Sequence, residues 1–445
     1  DARLKEDFAD VLERRADFDR STTTTVKGGF ARLDAFTGIL NQITEHYLQQ
    51  PGNHRRLESP VSYPHVFDTP YYDWIEWNGL NSNNGLGPLG RNVGEVLGSF
   101  ATVKIEQTGL IGGFPNSART GAGLLALEKL MTGLTSPAWP VWAWGELDPD
   151  SVKAGTALYA KHCESCHPVI NPLTHQQNAP ELDKDRTLKG LTIRSVMVPA
   201  DTVGTDVAYA KNISERTATT GMLQGQKNLS DLSGKEVFGA ESGAVALLKD
   251  VVARSIAYNL KTFFSQSIEA ITDSRGTQSA PPPKHWFNDK PPKAPHNEYF
   301  AYRGRALNGI WATAPYLHNG SVLTLWDLLL PPDQRPSTIY VGSFAYDPAK
   351  VGLKGENICP PAWMEAGSAW ISVPGEPDAD FGDPAKTKEV RDASPDMTRC
   401  QAMGYEINTT PGDAATLGNQ AAGHFYGTGL SDAERGQLIE YIKSL

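Results

Sequence analysis

The sequence predicts a mainly α, loop-rich protein with little sheet. Three observations predict this. Apolar residues recur at helical spacing in several windows. The 42 glycines and 31 prolines in 445 residues interrupt regular structure throughout. Only residues 337–341 read persuasively as a strand. Hydrophobic residues at 40% and charged residues at 21% are the mix of a folded globular chain. The length exceeds one ordinary core, so two or three units are expected.

Taken in order, residues 3–15 read as an amphipathic helix, the Ser/Thr-rich stretch 21–25 as a break, and 32–47 as a second helix. Residues 51–90 form a loop with a dense aromatic load: Tyr63, His65, Phe67, Tyr71, Tyr72, Trp74 and Trp77. Such density builds core more often than it walls a pocket. Short helices are expected over 92–100 and 121–132, followed by an apolar, proline-broken linker over 137–150. A helix begins at Ser151, its expected N-cap, and runs into Cys163. Residues 244–264 form the best long helix away from the termini, and 279–295 a proline-rich connection. The last segment, 431–445, carries a Ser431 cap, early acids and an apolar stripe at Leu438, Tyr441, Ile442 and Leu445.

Cys163-Glu164-Ser165-Cys166-His167 is the most informative stretch. Cys-x-x-Cys-His is the spacing at which two thiols add to the vinyl groups of one haem and the next histidine ligates its iron. A zinc knuckle would want a second Cys/His pair nearby, and a thioredoxin-like dithiol a βαβ context. Neither is present, so haem c is the expected cofactor, held by Cys163, Cys166 and His167. The helix entering this motif and the capped closing helix resemble the bracketing helices of a class I cytochrome c domain. That resemblance makes 151–445 one haem domain with a long insertion, 137–150 a linker, and 1–136 the remainder of another domain.

Haem c is attached outside the cytoplasm, so a periplasmic or secreted protein is expected. In that oxidising setting Cys359 and Cys400 are expected to pair, two free thiols being the alternative. No run of about 18 apolar residues is present to span a membrane. Residues 1–8 read as the middle of a helix without the apolar core of a signal peptide, so the chain is expected to have lost its beginning. A net charge of −10 and a pI near 5.5 argue against nucleic acid or an anionic membrane as partner. An electron donor or acceptor protein, a basic donor above all, suits better.

The axial ligand opposite His167 sets what the haem does. His46, His54, His175 and His296 sit in polar or turn-like contexts, while His65 and His285 neighbour aromatics. His424, in a glycine-flanked loop before the closing helix, is the favoured ligand. His318 is the second candidate and Met197 a distant third. With His424 the iron has two imidazoles, no open position and a role in passing electrons.

Residues 307–322, with the run Ala314-Pro315-Tyr316-Leu317-His318-Asn319-Gly320-Ser321, resemble the bacterial di-haem cytochrome c peroxidase superfamily, in the branch containing the rubber oxygenases. Residues 419–430 and 59–98 are similar to that branch too. The resemblance implies two cytochrome-c-like domains, each holding one haem. The N-terminal haem would react with peroxide, dioxygen or an apolar substrate; the C-terminal, bis-histidyl one would relay electrons, which favours His424 with His167. Such proteins carry two Cys-x-x-Cys-His motifs and only the second is here. Residues 1–150 match the segment between the two motifs in such proteins, so a second haem is expected upstream of Asp1; its loss is the alternative. No catalytic residue can therefore be named. Phe67, Trp74 and Trp77 are candidates for that haem's surroundings, and Trp142, Trp144 or Trp311 for the space between the cofactors. Arg303 and Arg305 suit haem propionates; two solvated loop arginines are the alternative. A non-catalytic carrier, or a cytochrome subunit of a larger complex, is the competing reading.

Overall fold

The computed structural model describes residues 31–99, 101–106, 113–118, 122–171, 193–231, 233–263, 283–342, 344–355 and 405–445, with a few isolated positions elsewhere. Most of the helix expected over 3–15, together with His175, Cys359 and Cys400, lies outside them. Among the described residues helix outweighs strand, 38% against 14%, and loops connect nearly everything.

The chain enters through strand β1 (Arg32–Leu33), antiparallel to β2 (Val61–Ser62). Helix α1 (Ala35–Asn41) starts at Asp34, whose carboxylate accepts from the Thr37 amide at 3.1 Å and hydroxyl at 2.6 Å. It widens into a π-helical stretch over Gln42–Tyr47. The helix expected from residue 32 therefore starts later, because strand pairing takes Arg32 and Leu33. Helices α2 (Gly87–Ser99) and α3 (Ala122–Met131) come next, joined by a buried ion pair between Arg91 and Glu128.

Helix α4 (Pro149–His162) ends at the Cys-x-x-Cys-His motif. Its cap is Asp148, which accepts from the Ser151 amide at 3.1 Å, and Ser151 lies inside the first turn. The expected Ser151 cap is corrected on this point: Pro149 fits the first helical position, where no amide hydrogen is needed, and so moves the start back.

Strand β3 (Val196–Pro199) is the centre of a three-stranded sheet, parallel to β4 (His285–Trp286) and antiparallel to β5 (Ala301–Gly304). Its strands are short and their partners lie some hundred residues apart, so no local pattern announces this sheet. Helix α5 (Ala208–Glu215) lies between β3 and β4 in sequence, and α6 (Ala244–Phe263) packs Leu247 and Val251 against Ile39 and Ile43 of the first helical segment and Val93 and Leu97 of α2. Strand β6 (Thr338–Val341), the one expected strand, pairs antiparallel with β7 (Tyr405–Asn408).

Helix α7 (Asp432–Lys443) closes the chain with a capping box between Ser431 and Glu434. It packs on α4, burying Leu438, Ile439 and Ile442 beside Tyr159. The crossing is tight at Gly155, where any Cβ would overlap the Gln437 carbonyl and crowd Tyr441. Among the described residues no helix is long and apolar enough to cross a membrane.

Candidate functional site

The α4–α7 crossing presents the motif to a cavity. The Cys163 amide donates to the Tyr159 carbonyl at 2.8 Å and the His167 amide to the Cys163 carbonyl at 2.9 Å, so the motif folds as a tight turn. Cys163 and Cys166 are both free thiols. Burial pushes Cys163 up to about 12 and raises Cys166 as well, so both are neutral. Low-pKa dithiols and thiolate metal sites have the opposite electrostatics. Among the described residues no group of three or more His, Cys, Asp or Glu side chains is placed to hold a metal ion.

His167 is fixed from two sides. Its carbonyl accepts from the hydroxyl of the buried Tyr159 at 2.8 Å, and its ring Nδ1 lies 2.7 Å from the Arg305 carbonyl. With a carbonyl as partner Nδ1 is the donor, which leaves Nε2 as the free acceptor. Strand β5 delivers this carbonyl, and it can approach so closely because residue 304 is glycine: a Cβ there would overlap the Cys166 backbone.

His424 stands opposite. Its loop turns through the left-handed region at both Gly423 (φ +66°) and His424 (φ 53°). Gly423 lies against Gly204 with no room for a side chain, and the His424 amide donates to the Val203 carbonyl at 2.8 Å. Buried Arg335 clamps the loop: it donates to Ala421 O at 2.8 Å, His424 O at 3.2 Å, Leu328 O at 3.0 Å and Leu330 O at 3.1 Å. Nothing in the sequence near Arg335 signals this role, since its partners are carbonyls brought together only by folding.

The ring centres of His167 and His424 are 6.3 Å apart, with planes at 49°. A metal bonded to one nitrogen of each ring, at roughly 2 Å per bond, needs centres about 6 Å apart. Both side chains are enclosed apart from the cavity they face. Burial first, and then the neighbouring His167 and Arg335, push His424 down to about 3; burial lowers His167 too. Both rings are thus neutral, the form that ligates metal. The cavity encloses about 1380 Å³ including its open mouth, and Val198, Val203, Leu325, Leu328, Leu329 and Ile442 give it apolar walls.

His318 also lines this cavity, but its Nε2 is 3.1 Å from the Tyr302 hydroxyl and its ring stacks on Tyr302 at 4.1 Å. Met197 is fully buried in β3, packed against Gly79. Arg303 and Arg305 are both buried on β5 or just after it, which corrects the alternative of two solvated loop arginines. Arg303 donates to Trp74 O at 2.6 Å, and Arg305 to His65 O at 3.1 Å and Phe67 O at 3.2 Å. Both guanidinium groups sit over the Tyr72 ring, at 4.9 and 5.3 Å, and burial pulls Arg303 down to about 10 and lowers Arg305. Each keeps an Nε without a partner, as do Ser62 Oγ, Thr205 Oγ1 and His424 Nδ1, and all five residues line the cavity.

Of the aromatics, Trp77 lines the same cavity and donates to Ser62 O at 2.9 Å. Trp74 lies under the Lys284 ammonium at 4.8 Å. Trp142 is exposed, whereas Trp144 and Trp311 meet in one cluster with rings 5.6 Å apart. A flat apolar ring system carrying carboxylates and a metal fits this set: thiols at one edge, facing imidazoles across an apolar slot, and buried cations with unused donors.

Comparison with known proteins agrees with this chemistry. The chain is 29% identical over 376 residues to a Sinorhizobium fredii (strain NBRC 101917 / NGR234) protein named "Uncharacterized protein y4iJ", covering 79% of this chain and 57% of that protein. A second protein of the same strain, "Uncharacterized protein y4iM", is 53% identical over 51 residues, 12% of each chain. This chain therefore spans little more than half the length of the first relative. Residues 301–340 match the family described as RoxA-like, cytochrome c-like. That stretch carries Arg303, Arg305, His318 and Arg335, and its likeness to a RoxA-like cytochrome c domain supports haem c as the cofactor.

Proposed function

We propose that this protein is an exported c-type cytochrome that passes single electrons within a peroxidase- or oxygenase-like oxidoreductase. Haem c would be held by thioether bonds to Cys163 and Cys166 and by His167 and His424 at its iron. The observation that carries this reading is the pair of neutral imidazoles facing one another at 6.3 Å beside the Cys-x-x-Cys turn. Bound there, haem c supplies reversible one-electron chemistry at iron.

The chain's own residues do the rest. The Arg305 carbonyl holds the His167 ring by Nδ1 and so directs Nε2 into the slot. Arg335 and the Val203 carbonyl hold the opposite loop, so His424 is presented without a search through conformations. Apolar walls exclude water, which keeps both imidazoles uncharged. Arg303 and Arg305, already desolvated, are poised to take carboxylates through their unused Nε donors. Were His167 and His424 both to hold the iron, no position would be left for a substrate, and electron passage would be the chemistry that remains.

The RoxA-like match and the aromatic-rich stretch 59–98 support a place beside a second, reactive haem acting on peroxide, dioxygen or an apolar substrate. A stand-alone carrier is the alternative, favoured by the single haem motif of this chain. A pyridine haemochrome titration of natively purified protein against its intact mass decides between them. Two covalent haems per chain support the oxidoreductase; one supports the carrier; none, or haem lost on acid–acetone extraction, overturns both.

A further inference from the structure

Residues 141–150 form an exposed strip whose residues the electron-passing reading does not use. Trp142 is 87% exposed, and Val141 and Trp144 lie open beside it. Exposed tryptophan at this level is unusual for a soluble surface and is the residue type that dominates binding energies at interfaces. Glu146, Asp148 and Asp150 come directly after, all exposed, and Asp347 adjoins Tyr346, whose ring stacks on Trp144 at 4.8 Å with planes 11° apart. Exposed apolar side chains and exposed acids therefore follow one another closely along this strip. Lys443, the cation over Trp139 at 4.8 Å, is paired with Glu440 at 2.8 Å, and Lys153 lies a turn further along α4.

The strip is also joined to the cofactor cavity. Trp144 touches Trp139 (ring centres 4.9 Å apart) and Trp311 (5.6 Å), and Trp139 touches Trp311 (5.8 Å). Trp311 belongs to the single turn Ile310–Thr313, of which Ile310 and Thr313 line the cavity. Aromatic contact therefore runs from Trp144 to Trp311, whose turn contributes Ile310 and Thr313 to the cavity wall.

We propose that the Trp142–Trp144 strip is the docking surface for a basic, haem-bearing electron donor, and that the aromatic cluster behind it connects that donor to the cavity. This rests on the haem reading above. The charge pattern selects the partner: exposed acids next to exposed apolar residues complement a basic surface bearing an exposed apolar haem edge, which steers encounter. One electron leaves the partner, which is oxidised by one unit, and the haem site is reduced by one unit. No bond forms or breaks and no proton moves.

The test is calorimetric titration of the intact holoprotein with a basic single-haem cytochrome c, and with an acidic single-haem cytochrome c as the charge control. Trp142→Ala removes an exposed side chain and Glu146→Lys reverses an exposed charge, so neither threatens the fold; circular dichroism of each variant verifies that. The basic cytochrome is expected to bind the wild type and the acidic one not to. Either substitution weakens Kd about tenfold or more, and raising the salt from about 0.02 to 0.2 M weakens it further. Three results overturn the proposal: no binding of the basic cytochrome, binding indifferent to both substitutions, or wild-type self-association abolished by Trp142→Ala, which would make a second copy the occupant. Failure of the haem reading shows separately, as absence of covalent haem in the same preparation.

Discussion

Arg335 uses its guanidinium on four backbone carbonyls, two at the end of the short helix Leu325–Leu328 and two on the His424 loop, with no carboxylate among the described residues in hydrogen-bonding contact. Arg335→Lys keeps the charge but cannot reach four acceptors in a plane. It is expected to cost about 2–3 kcal/mol in denaturant unfolding and to loosen His424, seen as a weaker low-spin haem spectrum on warming. Burial outweighs every other influence at a second residue. Asp73 is raised from 3.8 to about 6 by desolvation, although its Oδ1 accepts from the Trp74 amide at 2.7 Å and the Ser195 amide at 2.8 Å. Between those values the folded state binds more protons than the unfolded chain, so stability falls as pH rises through that window. Asp73→Asn keeps the accepting oxygen and removes the charge. It is expected to raise stability by ~1–3 kcal/mol at pH 7 and leave it near the wild-type value at pH 4; unfolding curves at the two pH values check this. At this scale the spacing of Cys163, Cys166 and His167, and the glycine-flanked loop of His424, are what point in the sequence to the proposed haem ligands. Arg335 and Asp73 act on backbone groups that only the fold assembles, which is why no pattern names them.

Among the elements, the α4–α7 crossing carries the site. Gly155→Val forces a side chain into the Gln437 carbonyl, and overpacking of this kind costs ~1–3 kcal/mol. Because the crossing sits directly behind Cys163, reduced covalent haem incorporation accompanies the lower melting temperature. Ser431→Ala is milder. Loss of the capping box costs about 1 kcal/mol and leaves the haem spectrum unchanged, which thermal melts and absorbance spectra together establish. Both helices are legible because cap, acids and apolar stripe are local signals. Helix α4 starts earlier than its sequence suggests because Asp148 and Ser151 both suit a cap, and only Pro149 decides between them. The sheet of β3, β4 and β5 is not legible at all. Val196–Pro199 is four residues long, and its register with Ala301–Gly304 is set by tertiary packing. That sheet matters, since it delivers the Arg305 carbonyl to His167 and buries both arginines.

In the whole molecule, the helical preponderance and the abundance of loop stem from composition, while the way distant segments share cores does not. Ile39 and Val93 pack with Leu247 and Val251 across more than 150 residues of sequence. The cavity draws its walls from segments as far apart as Ser62 and Ile442. The proposed function rests on two imidazoles, His167 and His424, that would close on one iron. Low-temperature electron paramagnetic resonance of the oxidised protein, beside its His424→Ala and His318→Ala variants, tests that closure most directly. The expected result is a low-spin bis-imidazole signal that becomes high-spin in His424→Ala and persists in His318→Ala. A high-spin wild-type signal from the haem at His167, or a signal lost with His318 and kept without His424, would contradict it.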